Sequence, residues 1–353
     1  MRKIVNIGRS SVGDGYPPYI VAELSGNHNG DIERAKRLIE EAKKTGVNAV
    51  KLQTYTPDTI TIDYDGPGFI VENGLWRGRS LYDLYQEAHT PWEWHAELFE
   101  YAKKVGLDIF STPFDETAVD FLEKFDPVAY KIASLELKDK PLLKKVAQQG
   151  RPVVLSTGLA TLDEVKEAVD ILRSNGTDDI VVLHCISGYP TPTSESNIAR
   201  IGALRSALNT PIGLSDHALS PAVSIAAIAL GARLIEKHFT LSREDGGPDA
   251  EFSLNPEEFS VLCSQARDAY EAIGVANYKR TESEQEISKY RRSIYVVKDV
   301  RAGEPFSEDN VRRIRPGFGM SPAYYEDVIG KKALRDLKRG TPLGEADIEG
   351  LSL

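Results

Sequence analysis

Residues 211–240, PIGLSDHALSPAVSIAAIALGARLIEKHFT, contain two short apolar runs separated by a helical pattern. Each run is followed by a polar triplet that ends in a histidine, and these triplets are Ser215-Asp216-His217 and Glu236-Lys237-His238. The segment between them opens on Ser220-Pro221, a serine N-cap followed by proline at the first helical position. The stretch therefore predicts strand, helix, strand, and a crossover of this length makes the two strands parallel and adjacent.

The two histidines of this stretch are predicted to emerge at one edge of the sheet. His217 follows the first strand and His238 follows the second, and the carboxyl ends of parallel strands carry the chemistry in α/β folds. Imidazoles with carboxylates and water nearby suit Mn, Zn, Fe or similar ions, and the sequence does not choose among them. We interpret His217 and His238 as two metal ligands. The alternative for either one alone is a structural histidine held by hydrogen bonds.

The alternation of strand and helix recurs along most of the chain. After a short opening strand near Ile4–Ile7, further strands are predicted at Tyr19–Leu24, Ala49–Thr54, Asp108–Thr112, Ala129–Ser134, Pro152–Ser156 and Ile180–Cys185. A last long helix is predicted to begin at Asn255-Pro256 and to run to about Ala276. Eight such units over about 260 residues predict a (β/α)₈ TIM barrel. An open doubly wound sheet is the alternative, which the lack of a Gly-x-Gly-x-x-Gly turn disfavours.

The predicted domain organisation has three parts. Residues 1–276 form the barrel, the polar residues 277–289 form a linker, and residues 290–353 form a small β-rich domain without a strand–helix unit. A domain of this size is expected to lean on a partner surface. Residues 56–90 are inserted between the second barrel strand and its helix, and loops in that position usually shape substrate specificity.

Composition excludes several functional classes. The net charge of −10 argues against nucleic acid or an anionic membrane as the main partner, so an anionic substrate needs a local basic cluster. The two cysteines, Cys185 and Cys263, lie in apolar patterns, which excludes a disulfide scaffold and favours a reducing compartment. No apolar core of signal-peptide length and no stretch near 18 apolar residues occur, so we expect a cytoplasmic protein.

Polar residues interrupt nearly every predicted strand toward its carboxyl end. These positions are Glu23, Lys51, Gln53, Ser111, Thr112, Lys131, Ser134, Glu136, Ser156, Thr157, His184, Ser215, His217, Glu236 and His238. Buried lysines and glutamates are costly unless they are paired, and this is the face on which barrel enzymes act. Lys51 and Lys131 suit a phosphate or carboxylate, and the many hydroxyl donors favour anion binding over a Schiff-base lysine. His89 and His95, which flank Pro91, are expected to be surface or loop residues.

These residues resemble the sialic acid synthase family, which condenses phosphoenolpyruvate with an N-acetylated sugar. The matching motifs are Ala22-Glu23 with Asn27-His28-Asn29-Gly30, Val50-Lys51-Leu52-Gln53, Ser111-Thr112-Pro113-Phe114, Tyr130-Lys131-Ile132-x-Ser134-x-Glu136, Leu155-Ser156-Thr157-Gly158, His184-Cys185-x-x-x-Tyr189-Pro190-Thr191-Pro192, Gly213-Leu214-Ser215-Asp216-His217, Glu236-Lys237-His238-Phe239-Thr240 and Gly247-Pro248-Asp249. In the tail, Arg291-Arg292-Ser293 and Arg315-Pro316-Gly317 resemble the family's antifreeze-like (SAF) domain.

The resemblance implies that phosphoenolpyruvate C3 attacks the aldehyde of an open-chain sugar, water adds at C2, and phosphate leaves with its C–O bond broken. It implies a divalent ion on His217 and His238, with Mn²⁺ preferred over Mg²⁺ or Co²⁺. The other implied roles are an acid/base group at Glu23, Glu136 near the metal-bound water, phosphoenolpyruvate binding by Lys51, Lys131, Ser134, Ser156 and Thr157, and sugar contacts or support from Gln53, Thr112, Phe114, Tyr189 and Asp249. Arg315 is expected to reach the sugar from the other subunit of a domain-swapped homodimer.

The segment Gly74–Trp94 resembles the branch of the family whose acceptor is 2,4-diacetamido-2,4,6-trideoxy-L-altrose. The nearest rival hypothesis is the same reaction on another sugar, giving N-acetylneuraminic or legionaminic acid. Leu24-Ser25-Gly26, Ala133 and Leu135 depart from the family pattern and affect the choice of sugar more than the reaction class. A metal-dependent pyruvate aldolase and a non-catalytic carbohydrate-binding protein are the remaining alternatives.

Overall fold

The computed structural model describes residues 3–352, so the predicted domain ends at residues 1 and 353 lie outside the described residues. The chain divides into one compact unit that ends at Gly274 and a second that begins at Val275. The first unit is a closed parallel barrel preceded by a hairpin. Among the described residues, no helix is both long and apolar enough to cross a membrane.

The described part of the first unit contains ten strands. The antiparallel hairpin consists of β1 (Val5–Ile7) and β2 (Ser10–Val12). The barrel strands are β3 (Tyr19–Glu23), β4 (Ala49–Thr54), β5 (Asp108–Pro113), β6 (Tyr130–Ile132), β7 (Val153–Ser156), β8 (Ile180–Cys185), β9 (Ile212–Asp216) and β10 (Leu234–His238). They pair in chain order, and β10 closes the barrel against β3. The predicted TIM barrel is confirmed, whereas the second hairpin strand was not predicted.

Helices follow the strands and cover the barrel. They are α1 (Ile32–Thr45), α2 (Pro57–Ile60), α3 (Leu81–Ala88), α4 (His95–Val105), α5 (Glu116–Leu122), α6 (Lys140–Ala147), α7 (Leu162–Asn175), α8 (Arg200–Ala207), α9 (Pro221–Ala229) and α10 (Pro256–Ile273). Their starts follow from local chemistry: the Ser220 hydroxyl accepts from Ala222 N–H, and Asn255 and Glu258 form a capping box on α10. The insertion at residues 56–90 contains α2 and α3.

The second unit contains α11 (Glu282–Ser288), β11 (Ser293–Val296), β12 (Val311–Ile314) and α12 (Tyr325–Val328). Strands β11 and β12 pair antiparallel, and their apolar side chains pack in a core that includes Ile294, Phe306 and Leu343. The helix α11 lies inside the segment 277–289, which we predict to be the linker.

Side chains inside the barrel form an apolar layer near the strands' amino ends. It combines hairpin residues with inward-facing strand residues: Val5, Ile7, Val12, Tyr19, Val21, Ala49, Phe110, Ala129, Val154, Val181, Leu183 and Leu234. Because side chains alternate along a strand, the next inward positions lie two residues further on. Those positions are Glu23, Lys51, Thr112, Lys131, Ser156, Cys185 and Glu236. The hairpin thus closes one end of the barrel, and the polar layer faces the other.

Candidate active site

Four ionisable side chains form a charged quartet inside the barrel: Glu23, Lys51, Lys131 and Glu236. Each is at most 5% exposed. Lys51 forms an ion pair with Glu23, and its Nζ lies 3.8 Å from Glu236 Oε2. Lys131 Nζ lies 3.6 Å from Glu236 Oε1. Two lysines and two carboxylates therefore compensate one another where isolated charges would be costly.

Hydrogen bonds hold the quartet in place. Lys51 Nζ donates to Thr112 Oγ1 at 2.9 Å, and Ser215 Oγ donates to Glu236 Oε1 at 3.1 Å. Glu23 Oε1 accepts from the Gln53 side-chain amide at 3.2 Å and from the backbone N–H of Ser25 at 3.0 Å. Glu23, Lys51, Gln53 and Thr112 were predicted on three neighbouring strands, and they meet in one network.

The environment gives the two carboxyls different pKa values. Burial raises the pKa of Glu23 to about 7; Glu236 reinforces this shift and Lys51 opposes it. Burial also acts on Glu236, but Lys131 and Lys51 outweigh it and hold the pKa of that carboxyl below its usual value. Neighbouring carboxyls whose pKa values are pushed apart suit separate acid/base and electrostatic roles. Glu23 is the one that can exchange a proton near neutral pH.

A group of hydroxyls lies at the ends of β6, β7 and β8, on the same side of the barrel as Lys131. Gly158 has φ +34°, and a Cβ there would lie 2.5 Å from Ser134 Oγ and 2.9 Å from Ser187 Oγ. Thr157 is buried, and within the described residues the buried Oγ atoms of Ser156 and Ser187 have no hydrogen-bond partner. Buried unpaired hydroxyls at the same barrel mouth as two lysines are suited to the oxygens of a bound anion.

The His217 and His238 rings lie side by side, with centroids 5.5 Å apart. His217 Nδ1 donates to the Ile186 carbonyl at 2.9 Å, and His238 Nδ1 lies 3.2 Å from Ser25 Oγ. Burial, with help from His217 and nearby lysines, lowers the pKa of His238 well below 6.5, so that this ring is neutral at pH 7. With each Nδ1 engaged, Nε2 is the atom left for a metal, an arrangement common among metal-binding histidines.

Within the described residues, His217 and His238 are the side chains that we assign as metal ligands. Between residues 3 and 352, no group of three or more His, Cys, Asp or Glu side chains is placed to hold a metal ion. The two imidazoles fit a divalent ion whose other positions are filled by water or substrate.

An aromatic wall covers the histidine pair. Tyr189 lies 4.3 Å from His217 between ring centroids, and Phe252 lies 4.8 Å from His238. Trp76 of the insertion is the third member of this wall, and its ring centroid lies 5.7 Å from that of Tyr189 and 6.2 Å from that of Phe252. Its indole N–H donates to the Pro248 carbonyl at 2.7 Å. The insertion therefore reaches the candidate site, as its position after the second barrel strand suggests.

The other predicted site residues lie at varying distances from this network. Asp249 is half-buried, and its Oδ2 accepts from Gly26 N–H at 3.2 Å. Glu136 ends a 3₁₀ turn after β6, and burial raises its pKa. Phe114 packs on Tyr55, with ring centroids 5.1 Å apart. Arg315 follows β12 in the second unit and is exposed, and its contact with a sugar stays a prediction.

Ser111 and His184 lie on the outer face of the barrel strands, and His95 of α4 packs against that face. Ser111 Oγ bonds Thr54 Oγ1 at 2.6 Å, and His184 Nε2 lies 2.8 Å from the Ser196 carbonyl. His95, expected on the surface or in a loop, is the first residue of α4 and is 0% exposed, because its ring packs on Phe121 and Phe125 and its Nε2 lies 2.8 Å from Thr54 Oγ1. The expectation for His95 is therefore wrong. Both faces of a barrel strand are buried, so sequence alone does not separate them.

Sequence reasoning also missed a buried ion pair behind the histidines. Lys237 Nζ lies 2.9 Å from Asp216 Oδ2, with 0% and 2% of the two side chains exposed. Asp216 also accepts from Ser224 Oγ at 2.6 Å and from Ala218 N–H at 2.9 Å, and Lys237 donates to the Ala218 carbonyl. The sequence could have predicted this ion pair, because Asp216 precedes His217 and Lys237 precedes His238 on strands already predicted to be neighbours.

Comparisons with known proteins extend over nearly the whole chain. The NeuB family profile matches residues 38–278, and the SAF domain profile matches residues 291–349. Pseudaminic acid synthase from Campylobacter jejuni is 42% identical over 331 residues, 94% of this chain and 96% of the relative. The pseudaminic acid synthase from Helicobacter pylori is 40% identical over 334 residues, which are 94% of this chain and 98% of the relative. A solved N-acetylneuraminic acid synthetase from Leptospira borgpetersenii superposes with a TM-score of 0.73 at 31% identity, covering 81% of this chain and 95% of that one.

Proposed function

Because the chain belongs to the NeuB family, we propose that it is a pseudaminic acid synthase. It condenses phosphoenolpyruvate with 2,4-diacetamido-2,4,6-trideoxy-L-altrose and water to give pseudaminic acid and phosphate. The observation that carries the reaction class is the position of the two lysines and the unpaired serine hydroxyls, which lie within one barrel mouth. The choice of sugar rests on the relatives' identity and on the insertion.

The chemistry needs an anion site that is strong enough for phosphoenolpyruvate. Lys51 and Lys131 supply two positive charges, and Ser134, Ser156 and Thr157 supply donors for phosphate and carboxylate oxygens. An arriving anion competes with Glu23 and Glu236 for the lysines. We propose that this competition leaves Glu23 free to take a proton from the water that adds at C2.

The bond changes follow from the reactants. The π electrons of phosphoenolpyruvate form the bond from C3 to the aldehyde carbon, and the aldehyde oxygen takes up a proton to become a hydroxyl. Water oxygen bonds to C2 and gives up its protons, and phosphate leaves with the electrons of the C2–O bond. A divalent ion held by His217 and His238, Mn²⁺ by preference, would polarise the aldehyde oxygen as a Lewis acid. Gln53, Thr112, Phe114 and Asp249 are proposed to contact the sugar or to support those that do. Glu136, whose pKa burial raises, is proposed to lie near the metal-bound water.

We further propose that the second unit acts through Arg315 from the partner of a domain-swapped homodimer, and that residues 277–289 form the linker that this exchange needs. We expect the enzyme to work in the cytoplasm.

A substrate panel tests the proposed function. With phosphoenolpyruvate and Mn²⁺, we expect phosphate release and a product of pseudaminic acid mass from the trideoxy sugar. Oxygen-18 in the bridge of phosphoenolpyruvate should appear in phosphate. Turnover only with N-acetylmannosamine would identify the rival synthase, and reversible use of pyruvate without phosphate release would identify the aldolase.

Loss of one histidine should weaken metal binding. In His217→Ala, we expect the Mn²⁺ dissociation constant to rise at least about tenfold, measured by electron paramagnetic resonance of free Mn²⁺ without substrate. The control is His89→Ala, because His89 lies in the insertion with its Nδ1 on the Gln86 carbonyl. Unchanged metal content together with unchanged turnover in His217→Ala would refute the metal assignment.

A further inference from the structure

Trp76 is the only member of the aromatic wall that comes from the insertion. The wall consists of Trp76, Tyr189 and Phe252, and the other two members follow β8 and β10. Trp76 is half-buried although its neighbours Leu75 and Arg77 are exposed, so the chain turns this one side chain toward the barrel. An indole that leaves solvent to pack on two aromatic rings contributes a large apolar surface at that point.

The position of Trp76 indicates which end of the acceptor sugar would lie near the indole. Two ring contacts in series, of 5.7 Å and 4.3 Å, lead from Trp76 through Tyr189 to His217. The distance between the Trp76 and His217 rings is at most the sum of these two contacts, which a six-carbon chain together with its acetamido groups can cover. If the aldehyde end lies at the histidines, the C4–C6 end of the same molecule extends toward the indole.

The chemistry of the indole restricts what it can recognise there. Its N–H already donates to the Pro248 carbonyl at 2.7 Å, so the ring offers carbon atoms and a π face but no free hydrogen-bond donor. Such a surface favours methyl groups and gains nothing from a hydroxyl, which must give up water to approach it. The trideoxy acceptor carries a C6 methyl and a 4-acetamido methyl at this end, whereas N-acetylmannosamine carries hydroxyls at both carbons.

We propose that Trp76 is a specificity-determining residue that favours acceptors with methyl groups at their C4–C6 end. This inference rests on the proposed function, because it takes the acceptor aldehyde to lie at the histidine pair. The apolar wall discriminates by contact area, and differences of this kind are worth about 10–200-fold in kcat/KM.

The test compares Trp76→Ala, Trp76→Phe and the control Leu75→Ala, whose side chain is the exposed neighbour. Each full-length variant is assayed with the trideoxy sugar and with N-acetylmannosamine, and the KM of phosphoenolpyruvate is measured separately. In Trp76→Ala we expect the KM of the trideoxy sugar to rise about tenfold and the preference over N-acetylmannosamine to fall by a similar factor. The KM of phosphoenolpyruvate should stay within about twofold, and Leu75→Ala should match wild type.

Trp76→Phe separates the ring from the hydrogen bond to Pro248. We expect it to retain most of the preference, because it keeps an aromatic face; a loss as large as that of Trp76→Ala would overturn the proposal in favour of anchoring of Pro248. An equal loss for both sugars, or a parallel rise in the KM of phosphoenolpyruvate, would also overturn it.

The wild-type preference tests the proposed function separately. A wild type that prefers N-acetylmannosamine overturns the assignment as a pseudaminic acid synthase. If Trp76→Ala shifts such an enzyme still further from the trideoxy sugar, the role of Trp76 stands; an unchanged ratio overturns both.

Discussion

Replacing Glu23 by glutamine is expected to lower kcat/KM of the condensation about 10²–10⁴-fold, the usual contribution of a positioned acid/base group. Glutamine keeps the shape of the side chain and an oxygen that can accept from Gln53 and Ser25 N–H, as Glu23 Oε1 does. It cannot take a proton from water. The fold should survive, because glutamine leaves no cavity and Glu236 remains near Lys51 and Lys131 to compensate their charges.

The pH profile distinguishes proton transfer from loss of binding. The pKa of Glu23 is about 7 because burial and Glu236 outweigh the opposing effect of Lys51. A base must be ionised, so wild-type kcat/KM, which reports the free enzyme, should rise with pH through about 7. The Glu23→Gln variant should lack this limb. A variant profile that keeps the limb, or a rate within about threefold of wild type, would exclude Glu23 as the base.

The Glu23 carboxyl should also make the free energy of unfolding depend on pH, and the direction of that dependence follows from its raised pKa. Its pKa is higher in the folded protein than the ordinary value of 4.5, so the folded state holds the proton more tightly than the unfolded state does. The contribution of Glu23 to the free energy of unfolding is therefore present below pH 4.5 and is lost as the pH rises to about 7. Glu23→Gln should flatten this decline, whereas the exposed Glu167→Gln, which replaces a surface partner of Lys140, should not.

The barrel was predictable because its signals are local and repeated. Apolar runs of strand length, each followed by a helix start, predicted β4 and β8 to the residue. The strand β6 is shorter than predicted, with Ala133 and Ser134 outside it, because a 3₁₀ turn begins immediately after the strand. Strand ends of this kind depend on tertiary contacts that a local pattern does not contain.

The site residues were predictable only where the alternation of side chains along a strand and the polar character of the residues pointed to the same face. Lys51 and Gln53 lie two residues apart and both contact Glu23, as residues on one face of a strand should. The inward or outward direction of Ser111 and His184 was not predictable, because helices bury the outer face as thoroughly as the barrel buries the inner one. Sequence reasoning found the polar positions, but the pairing of Lys131 with Glu236 required the closed barrel.

Replacing Lys237 by methionine is expected to destabilise the first unit by about 3–5 kcal/mol, because it leaves the Asp216 carboxylate buried without its cation. The midpoint of thermal unfolding should fall by about 10 °C, measured by circular dichroism. Methionine fills nearly the same volume, so the loss reports the charge rather than a cavity. The control is Lys138→Met: Lys138 pairs with Glu164 at 2.6 Å with 71% of its side chain exposed, and such pairs contribute about 0–1 kcal/mol.

A double variant decides whether the ion pair or the hydrogen bonds stabilise this region. Asp216→Asn combined with Lys237→Met removes both charges but keeps an acceptor for Ser224 Oγ or Ala218 N–H. Because the unpaired charge is the costly element, the double variant should be more stable than Lys237→Met alone. Equal stability would mean that the lysine's bond to the Ala218 carbonyl dominates. Since Asp216 and Lys237 directly precede the two histidines, recovery of stability with weakened Mn²⁺ binding would show that the pair also orients the metal ligands.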